Sequence, residues 1–376
     1  MSRFGFLSTF PPTRCGLATF TEALSSALVH GSADQAVIVR VDDLVPAGPA
    51  PSRRAVNVAS WLHPSDLGSR ASAVATLNEC DAVIIQHEFG IYGGPDGEEV
   101  IPILESLQPR RIVVLHTVLA RPTAHQRLVL QRIVQLADVI VVMTSAAYTI
   151  VSEQYGADRE RLELIPHGVE PRPIPRVRWP ADRPVILTWG LIGPGKGVEW
   201  GIRALGGMPP RVRPLYRVLG QTHPKVLLDQ GEQYRSMLES LVAQLGLGRD
   251  VEIDGRYQTS EELATQLELA DLVLLPYDST DQATSGVLAE AVAAGKVVVA
   301  TRFPHAVELL SAGGGILVAN KRPDEIARAI RDGLHNPRFG VRARMQAVER
   351  ASTNGWPRVA ARFRALAVGA SVVGRQ

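Results

Sequence analysis

Residues 277–296 read YDSTDQATSGVLAEAVAAGK and form the most informative segment of the chain. An apolar run at 272–276 precedes them and predicts a buried strand. After a polar loop of small residues, apolar side chains recur at helical spacing, so a helix is expected to begin near Ser285. A strand, a loop and a helix in this order predict one unit of an α/β domain.

The start of this predicted helix has the properties of a ligand-binding site. Ser285 and Gly286 are small and would leave the first backbone N–H groups open, and helix N-termini favour anions. Glu290 lies further along the helix between alanines, where a carboxylate needs a polar partner. The spacing is compatible with a ligand hydroxyl and equally with a salt bridge to a neighbouring arginine.

Alternating predicted strands and helices fill the chain on both sides of a proline-rich segment. This segment, 171–183, contains four prolines and no periodicity, so it is expected to be a linker. The blocks on either side, 1–170 and 184–352, each predict a doubly wound α/β domain. The remaining segment, 353–376, predicts a helix entered through Trp356.

Charge limits the classes of partner. The chain has 376 residues and a net charge of +2, which does not suggest bulk nucleic-acid binding. Local charge is less even, because residues 338–376 contain eight arginines and one glutamate, 8 − 1 = +7. This segment could attract an anionic lipid, a phosphate or an acceptor, or it could be a solvated helix face.

The sequence predicts neither a metal site nor a membrane span. Cys15 and Cys80 are the only cysteines, and they give no ligand spacing and no disulfide framework. No D-x-D motif occurs, so no catalytic metal or other cofactor is expected. With no signal-peptide pattern and no apolar run approaching about 18 residues, the expected location is the cytoplasm. A lipid acceptor would then be met at the inner face of the membrane.

Histidines end three of the strands predicted in the first block, at His87, His116 and His167. Ligands in open α/β sheets gather beyond the carboxyl ends of the strands, so at least one of the three is expected to be functional. A glycine-rich loop follows His87 and is expected to be mobile. His87, Glu88 and Tyr92 are therefore candidates for contacts to an acceptor, and a turn without chemistry is the alternative.

The segment GLIGPGKG at 190–197 follows a predicted strand and opens a predicted helix. It matches G-x-x-x-x-G-K but has Gly197 where a nucleoside-triphosphate cradle needs Ser or Thr, and Pro194 removes one cradle N–H. A triphosphate cradle is therefore not expected. The glycine-rich turn, the helix start and Lys196 together predict a phosphate site that needs no metal. A tight turn with a surface lysine is the alternative.

Two arginines are further candidates for neutralising a diphosphate. Arg14 lies in the loop after the first predicted strand, and Arg256 lies in the sequence GRYQ at 255–258. Gly16 ends the first loop and would permit close backbone approach to a ligand, or it is a plain helix-entry glycine.

Together these motifs resemble glycosyltransferase family 4, the retaining sugar-nucleotide enzymes of GT-B fold. The resemblance implies two Rossmann-like domains that face each other across a cleft, an acceptor-binding domain at 1–170 and a nucleotide-sugar-binding domain at 184–352. It also implies a C-terminal helix in 353–376 that returns to the N-terminal domain. The resemblance covers nearly the whole chain and rests on FPPTRCGLATF at 10–20, His116, IPHGV at 165–169, WGLIGPGKG at 189–197, DGRYQTSEEL at 254–263 and the segment 277–296.

The family pattern implies roles for individual residues. Glu290 would hold the ribose hydroxyls of the donor, and Lys196 would neutralise the leaving diphosphate. His116 would contact the donor sugar near the reacting carbon. The other donor contacts would come from Gly16, Arg256, Tyr257 and the backbone amides of Ser285, Gly286 and Val287.

Two residues depart from the family pattern. The first glutamate of the usual E-x7-E pair is Gln282, a catalytic candidate that can bond sugar hydroxyls but carries no charge. Leu191 occupies the position of a customary arginine, for which Arg14 or Arg256 could substitute. Donor identity and catalytic strength therefore stay open at this point.

The function implied is that of a metal-independent retaining hexosyltransferase, with mannose from GDP-mannose as the expected donor and a glycan or glycolipid hydroxyl as acceptor. A UDP-glucose-dependent glucosyltransferase is the first alternative. A sugar-nucleotide epimerase or phosphorylase of similar fold, a catalytically inactive transferase and a non-catalytic sugar-binding protein are the others.

Overall fold

The chain divides into two compact units, each with its own parallel sheet and its own apolar core. Met1–Gly168 and the segment from Asn354 onward form the first unit, and Val169–Thr353 form the second. The predicted fold class, two doubly wound α/β domains, is confirmed. The computed structural model describes residues 1–42, 55–170, 183–279, 283–311 and 313–369.

The first unit is built on a seven-stranded parallel sheet. Its strands are β1 (Arg3–Ser8), β2 (Gln35–Val41), β3 (Val56–Leu62), β4 (Ala82–His87), β5 (Arg110–Leu115), β6 (Val139–Val142) and β7 (Leu162–Leu164). They lie in the order β3-β2-β1-β4-β5-β6-β7. The central strands β1 and β4 are buried along nearly their whole length, which explains their continuous apolar sequences.

Helices connect these strands. They are α1 (Gly16–Val29), α2 (Leu67–Asn78), α3 (Val100–Ser106), α4 (Ala124–Leu136) and α5 (Ser145–Gln154). The sequence predicted all five, but not the strand β3. This strand lies at the edge of the sheet, and polar Asn57 and Ser60 interrupt its apolar pattern, so its periodicity is weak.

The second unit is built on a six-stranded parallel sheet. Its strands are β8 (Val185–Trp189), β9 (Leu215–Leu219), β10 (Val251–Asp254), β11 (Leu272–Leu275), β12 (Val297–Thr301) and β13 (Gly315–Val318). Their order, β10-β9-β8-β11-β12-β13, reverses direction between β8 and β11. Ligands bind at such a switch point in open α/β sheets.

The helices of the second unit are α6 (Val198–Gly206), α7 (Pro224–Gln230), α8 (Gln233–Gln244), α9 (Ser260–Leu269), α10 (Gly286–Ala293), α11 (Pro304–Leu310), α12 (Pro323–His335) and α13 (Pro337–Asn354). The sequence analysis missed α7 and α11, which have seven residues each and show too few turns for a periodic pattern. Helix α9 is capped by Thr259, which forms a capping box with Glu262.

The last helix, α14 (Trp356–Ala367), packs in the first unit, as the resemblance implied. Its buried face includes Val359 and Phe363, and Trp356 lies so close to Gly168 that an added Cβ there would be 2.3 Å from the indole ring. Arg364 forms a salt bridge with Asp34. Part of the basic charge of residues 338–376 is therefore balanced by a carboxylate within the first unit.

Candidate functional site

Three loops meet at the carboxyl end of the second sheet, where the switch point lies. The loop after β8 bonds to the loop after β11, because the amide of Asp278 donates to the carbonyl of Gly195 at 2.9 Å. It also bonds to the loop after β9, since the amide of Ile192 donates to Gln221 O at 2.9 Å and that of His223 to Ile192 O at 2.8 Å. The predicted phosphate loop is therefore held on both sides.

Glycines make this close approach possible. Gly197 has φ +64°, and a Cβ on it would lie 1.9 Å from Pro276 O. Gly220 has φ +132°, and a Cβ there would lie 2.0 Å from Gly190 O. Both positions exclude any side chain and favour a left-handed backbone that glycine adopts readily. The glycine-rich sequence thus serves contact between loops.

Lys196 projects from this junction over an aromatic ring. Its Nζ lies 4.5 Å from the ring centroid of Tyr277, which is buried and stacks on Phe303 at 5.1 Å between centroids. The carbonyl of Tyr277 accepts hydrogen bonds from Thr301 Oγ1 at 2.6 Å and Asn320 Nδ2 at 3.1 Å. A cation over a fixed aromatic face is oriented as well as stabilised.

The charge of Lys196 is not balanced by a carboxylate within the described residues, none of which forms a salt bridge with it. Its field contributes, after burial, to lowering the pKa of His223. The site therefore presents a half-buried positive charge beside a neutral imidazole. Such a site suits an anionic ligand.

The start of α10 differs from the prediction at one residue. The amide of Ser285 donates to Nδ1 of buried His305 at 2.8 Å, so it is not directed at a ligand. The Ser285 hydroxyl accepts from the amide of Leu288 at 3.2 Å. Helix geometry leaves the first four backbone N–H groups of a helix without intrahelical acceptors. In α10 the amides of Ser285 and Leu288 have the partners just described, and the other two of the four belong to Gly286 and Val287.

Buried polar atoms surround the same junction. Among the described residues, Trp200 Nε1, Tyr277 Oη, Asp278 Oδ1 and Thr284 Oγ1 have no hydrogen-bond partner. Trp200 lies against Gly197, with its Cδ1 3.1 Å from the position of an added Cβ. Buried polar groups are nearly always bonded in proteins, so a cluster of unpartnered ones is typical of a functional site.

The roles predicted for Glu290 and Gln282 stay predictions. Glu290 is half-buried in α10 between buried Ala289 and Ala291. Gln282 lies outside the described residues.

Arg256 follows β10 and is paired with a carboxylate, and its role toward the donor stays a prediction. Its side chain is 76% exposed and forms a paired contact with Asp254, with Nη2–Oδ2 at 2.7 Å and Nε–Oδ1 at 3.1 Å. The hydrogen bond that Arg256 donates to Asp254 raises the pKa of Arg256. Its charge is therefore balanced locally, unlike that of Lys196. Tyr257 follows it and is half-buried.

In the first unit, the three strand-end histidines lie close to one another. The ring of His116 lies edge-on to Phe20 at 4.8 Å, and that of His167 does so at 5.1 Å. Burial, then the fields of His167 and His87, lower the pKa of His116 to about 3, and burial lowers that of His87 to about 4. All three pKa values are lowered, so these histidines are neutral at pH 7.

Two of the three predicted acceptor contacts are directed into the interior. Tyr92 is 5% exposed, and its hydroxyl donates to Gln86 O at 2.8 Å or Leu7 O at 3.3 Å. His87 is fully buried. Both side chains are buried in this conformation, and their contact with an acceptor stays a prediction. Glu88 is half-buried, and its carboxylate accepts from the hydroxyl of Thr117.

The glycine-rich loop after His87 is bonded to α4. His125 contacts Asp96 at 2.8 Å and Glu98 at 3.2 Å, and Gln126 Nε2 donates to Asp96 Oδ1 at 3.2 Å. The second half of this loop is therefore anchored by side-chain contacts, and its mobility stays a prediction.

The first loop is more open. Arg14 and Gly16 are exposed, and a Cβ on Gly16 would meet no atom within 4 Å. Helix α1 begins at Gly16 and is capped by Cys15, whose sulfur accepts from the amide of Ala18 at 3.4 Å. The fold itself does not require glycine here, so close approach of a ligand stays a prediction.

Four residues of the site were missed by sequence reasoning: His223, Trp200, His305 and Asn320. His305 and Asn320 follow the strands β12 and β13, as the predicted histidines follow theirs. The same strand-end criterion could have found them.

Comparisons with known proteins show what the sequence and the fold are similar to. Residues 171–353 match the family model described as glycosyl transferases group 1. The D-inositol 3-phosphate glycosyltransferase of Nocardiopsis dassonvillei is 27% identical over 237 residues, 60% of this chain and 54% of that protein. The alpha-D-kanosaminyltransferase of Streptomyces kanamyceticus is 29% identical over 194 residues, 51% of this chain and 45% of that protein. The chain spans about half the length of these curated relatives.

Solved structures share the fold over the whole chain. Anabaena HepE in complex with UDP and glucose has a TM-score of 0.75 and 17% identity, covering 98% of this chain and 100% of that one. Sucrose-phosphate synthase from Thermosynechococcus elongatus has a TM-score of 0.73 and 16% identity, covering 98% and 99%. The second unit therefore matches the glycosyl transferases group 1 model, and the whole chain shares the GT-B fold that its motifs implied.

The described residues contain neither a candidate membrane-spanning helix nor a candidate metal site. None of their helices is both long and apolar enough to cross a membrane. No group of three or more His, Cys, Asp or Glu side chains within them is placed to hold a metal ion.

Proposed function

We propose that the protein transfers a hexose from a nucleoside-diphosphate sugar to a hydroxyl of a glycan or glycolipid acceptor, with retention at the anomeric carbon. The observation that carries this proposal is the position of Lys196. Its uncompensated charge lies at the switch point of the second sheet, over Tyr277 and between loops that glycines bring together. The match of residues 171–353 to the glycosyl transferases group 1 model supports the same chemistry.

The mechanism proposed is electrostatic. Departure of the nucleoside diphosphate leaves an oxocarbenium-like sugar and develops negative charge on the leaving oxygen. Lys196 and the amides of Gly286 and Val287 would stabilise that charge, which is the kind of preorganised stabilisation that lowers barriers most. Glu290 would bind the ribose, and His116 would contact the sugar. Retention follows from the family resemblance.

Two donors are favoured by different observations. The overall sequence resemblance favours GDP-mannose, which makes the protein a mannosyltransferase. The solved structures of HepE with UDP and with UDP-glucose favour a uridine donor. The relatives named for D-inositol 3-phosphate add a phosphorylated polyol to the acceptors worth testing.

The test is product analysis with each donor, with and without a panel of acceptors. Sugar transfer with one donor, dependent on an acceptor, supports the proposal. Conversion of the sugar nucleotide without any acceptor would instead identify an epimerase or a hydrolase.

We also propose that the protein contacts anionic membranes through one face of α13. Val341, Met345 and Val348 are exposed at i, i+4 and i+7. Arg338 and Arg342 are exposed beside them. Exposed apolar residues on one helix face with flanking arginines are typical of interfacial helices.

A further inference from the structure

A fully buried glutamine binds the ring of His116. Gln86 lies on β4, next to β5, and its Oε1 is 2.7 Å from His116 Nε2. A backbone hydrogen bond links the same two strand ends, because the amide of His116 donates to the carbonyl of His87 at 3.0 Å. Both the chain and the side chain of His116 are therefore held by β4.

This bond determines which ring nitrogen carries the proton. The Gln86 carboxamide is oriented with its oxygen toward the ring and its Nε2 without a partner, and a carboxamide oxygen can only accept. In this orientation His116 Nε2 is the donor and Nδ1 carries the lone pair. No other described residue forms a hydrogen bond with this ring. The ring is half-buried, which leaves Nδ1 able to meet a ligand.

The surroundings keep this ring neutral. The groups that face it are Phe20 from α1, His87 from β4 and His167 after β7. The carboxylate of Glu88, which follows β4, accepts from the hydroxyl of Thr117. A neutral ring with a fixed proton can accept a hydrogen bond at Nδ1 but cannot serve there as an acid.

We propose that Gln86 is a positioning residue, which holds His116 in the Nε2–H form so that Nδ1 accepts a hydrogen bond from a hydroxyl of the bound sugar. The role toward sugar rests on the proposed function. The tautomer does not, so the two parts can be tested separately.

The first experiment measures the tautomer in the full-length protein without substrate. Long-range ¹⁵N–¹H NMR spectra of the histidine rings identify the protonated nitrogen, and loss of one ring signal in His116→Gln assigns the residue. The expected result is an Nε2–H ring that stays neutral down to about pH 5. A ring protonated at Nδ1, or one that titrates near pH 6.5 as an unperturbed histidine does, overturns the proposal.

Two variants of the glutamine extend the test. Gln86→Met keeps the length without an acceptor and is expected to give a mixture of both tautomers. Gln86→Glu places a carboxylate at Nε2 and is expected to raise the pKa of His116. Gln126→Glu is the matched control, because it makes the same change beside His125 and should leave the His116 signals unaltered. Unchanged His116 signals in both Gln86 variants overturn the proposal.

Activity then tests the role toward sugar. Gln86→Met is expected to lower kcat/KM by about 10- to 100-fold, by analogy with the loss of a hydrogen-bond partner that orients a metal-ligating histidine. Gln86→Glu is expected to make the rate depend on pH near neutrality, which a purely structural role would not do. A changed tautomer with an unchanged rate overturns the role toward sugar. Failure of the proposed function would instead show as no sugar transfer by the unaltered protein.

Discussion

Lys196 is held more firmly than an ordinary surface lysine. Its Nζ rests over the ring of Tyr277, and its loop is bonded to both neighbouring loops. A free lysine side chain has about 2 kcal/mol of rotamer entropy, part of which is already lost here before a ligand binds. At the scale of the single residue, this preorganisation is what distinguishes a phosphate-binding lysine from a lysine at a plain turn.

Replacing Lys196 is therefore expected to affect turnover more than folding. Lys196→Ala should lower kcat by about 10²- to 10³-fold, because one preorganised charge at the leaving group is lost. Steady-state kinetics with the identified donor measure it. Lys225→Ala is the control, since Lys225 is exposed in the first turn of α7 and also lowers the pKa of His223. Full turnover in Lys196→Ala would refute the mechanism.

Gly197 gives a second prediction at this scale. In Gly197→Ala the new Cβ would lie 1.9 Å from Pro276 O, at φ +64°. We expect a loss of unfolding free energy of about 3 kcal/mol or more, since backbone must move to relieve the clash. Gly246→Ala is the matched control, with φ +66° and no atom within 4 Å of the added Cβ. It should cost only about 1–2 kcal/mol. Equal losses in urea titrations would contradict this account.

At the scale of the element, α13 has an apolar stripe that its own unit does not cover. Met345→Asp should weaken sedimentation with phosphatidylglycerol vesicles, because it replaces the centre of the stripe with a charge that an anionic surface repels. Binding should also fall as salt rises, because the flanking arginines are screened. Leu227→Asp on α7 is the control, an exposed apolar residue outside this helix. Equal sedimentation of all three proteins would exclude this face.

The docking of α14 is expected to depend on pH. The hydrogen bond from Arg364 is the main cause that lowers the pKa of Asp34 below its ordinary 3.8. A carboxyl group whose pKa is lower in the folded state than in the unfolded state stabilises the folded state at pH values above its unfolded-state pKa. This contribution is lost as the pH falls through the folded-state pKa. Arg364→Met should therefore lower Tm at pH 6 and reduce the further fall of Tm on acidification.

Arg358→Met is the matched control for this prediction, because Arg358 is exposed on the same helix. It should keep the acid dependence of the unaltered protein. A Tm of Arg364→Met that falls as steeply as that of the control would show that the Asp34 pair does not hold the helix.

For the whole molecule, alternation of apolar strands and amphipathic helices was enough to predict both sheets and nearly every helix. The reason is that buried parallel strands must be continuously apolar, as in β4 and β11. Edge strand β3 and the seven-residue helices α7 and α11 escaped, because short or half-exposed elements carry too little periodicity.

The candidate site was predicted less completely, because spacing along the chain does not show which groups form hydrogen bonds or salt bridges with each other. The sequence placed Lys196 and the α10 start correctly at strand ends. It could not show that His305 accepts a hydrogen bond from the amide of Ser285 or that Asp254 forms a salt bridge with Arg256. Nor could it show that the hydroxyl of Tyr92 donates to the carbonyl of Gln86 in the sheet. Each of these partners is distant in sequence or competes locally for the same group.

Separate cores in the two units lead to a prediction about where a nucleotide acts. UDP or GDP should slow amide hydrogen exchange most in the second unit, at the loop 190–197 and along α10, because these elements would meet the diphosphate. A ligand at about 100 times its Kd stabilises the native form by about 2.7 kcal/mol, enough to be seen as a slower exchange of these peptides. Lys196→Ala should reduce the effect. EDTA should leave it unchanged, since the sequence predicts a site in which lysine and helix amides meet the charge. Protection that is absent from these two elements, or that disappears with EDTA, would show that the diphosphate is bound by other groups.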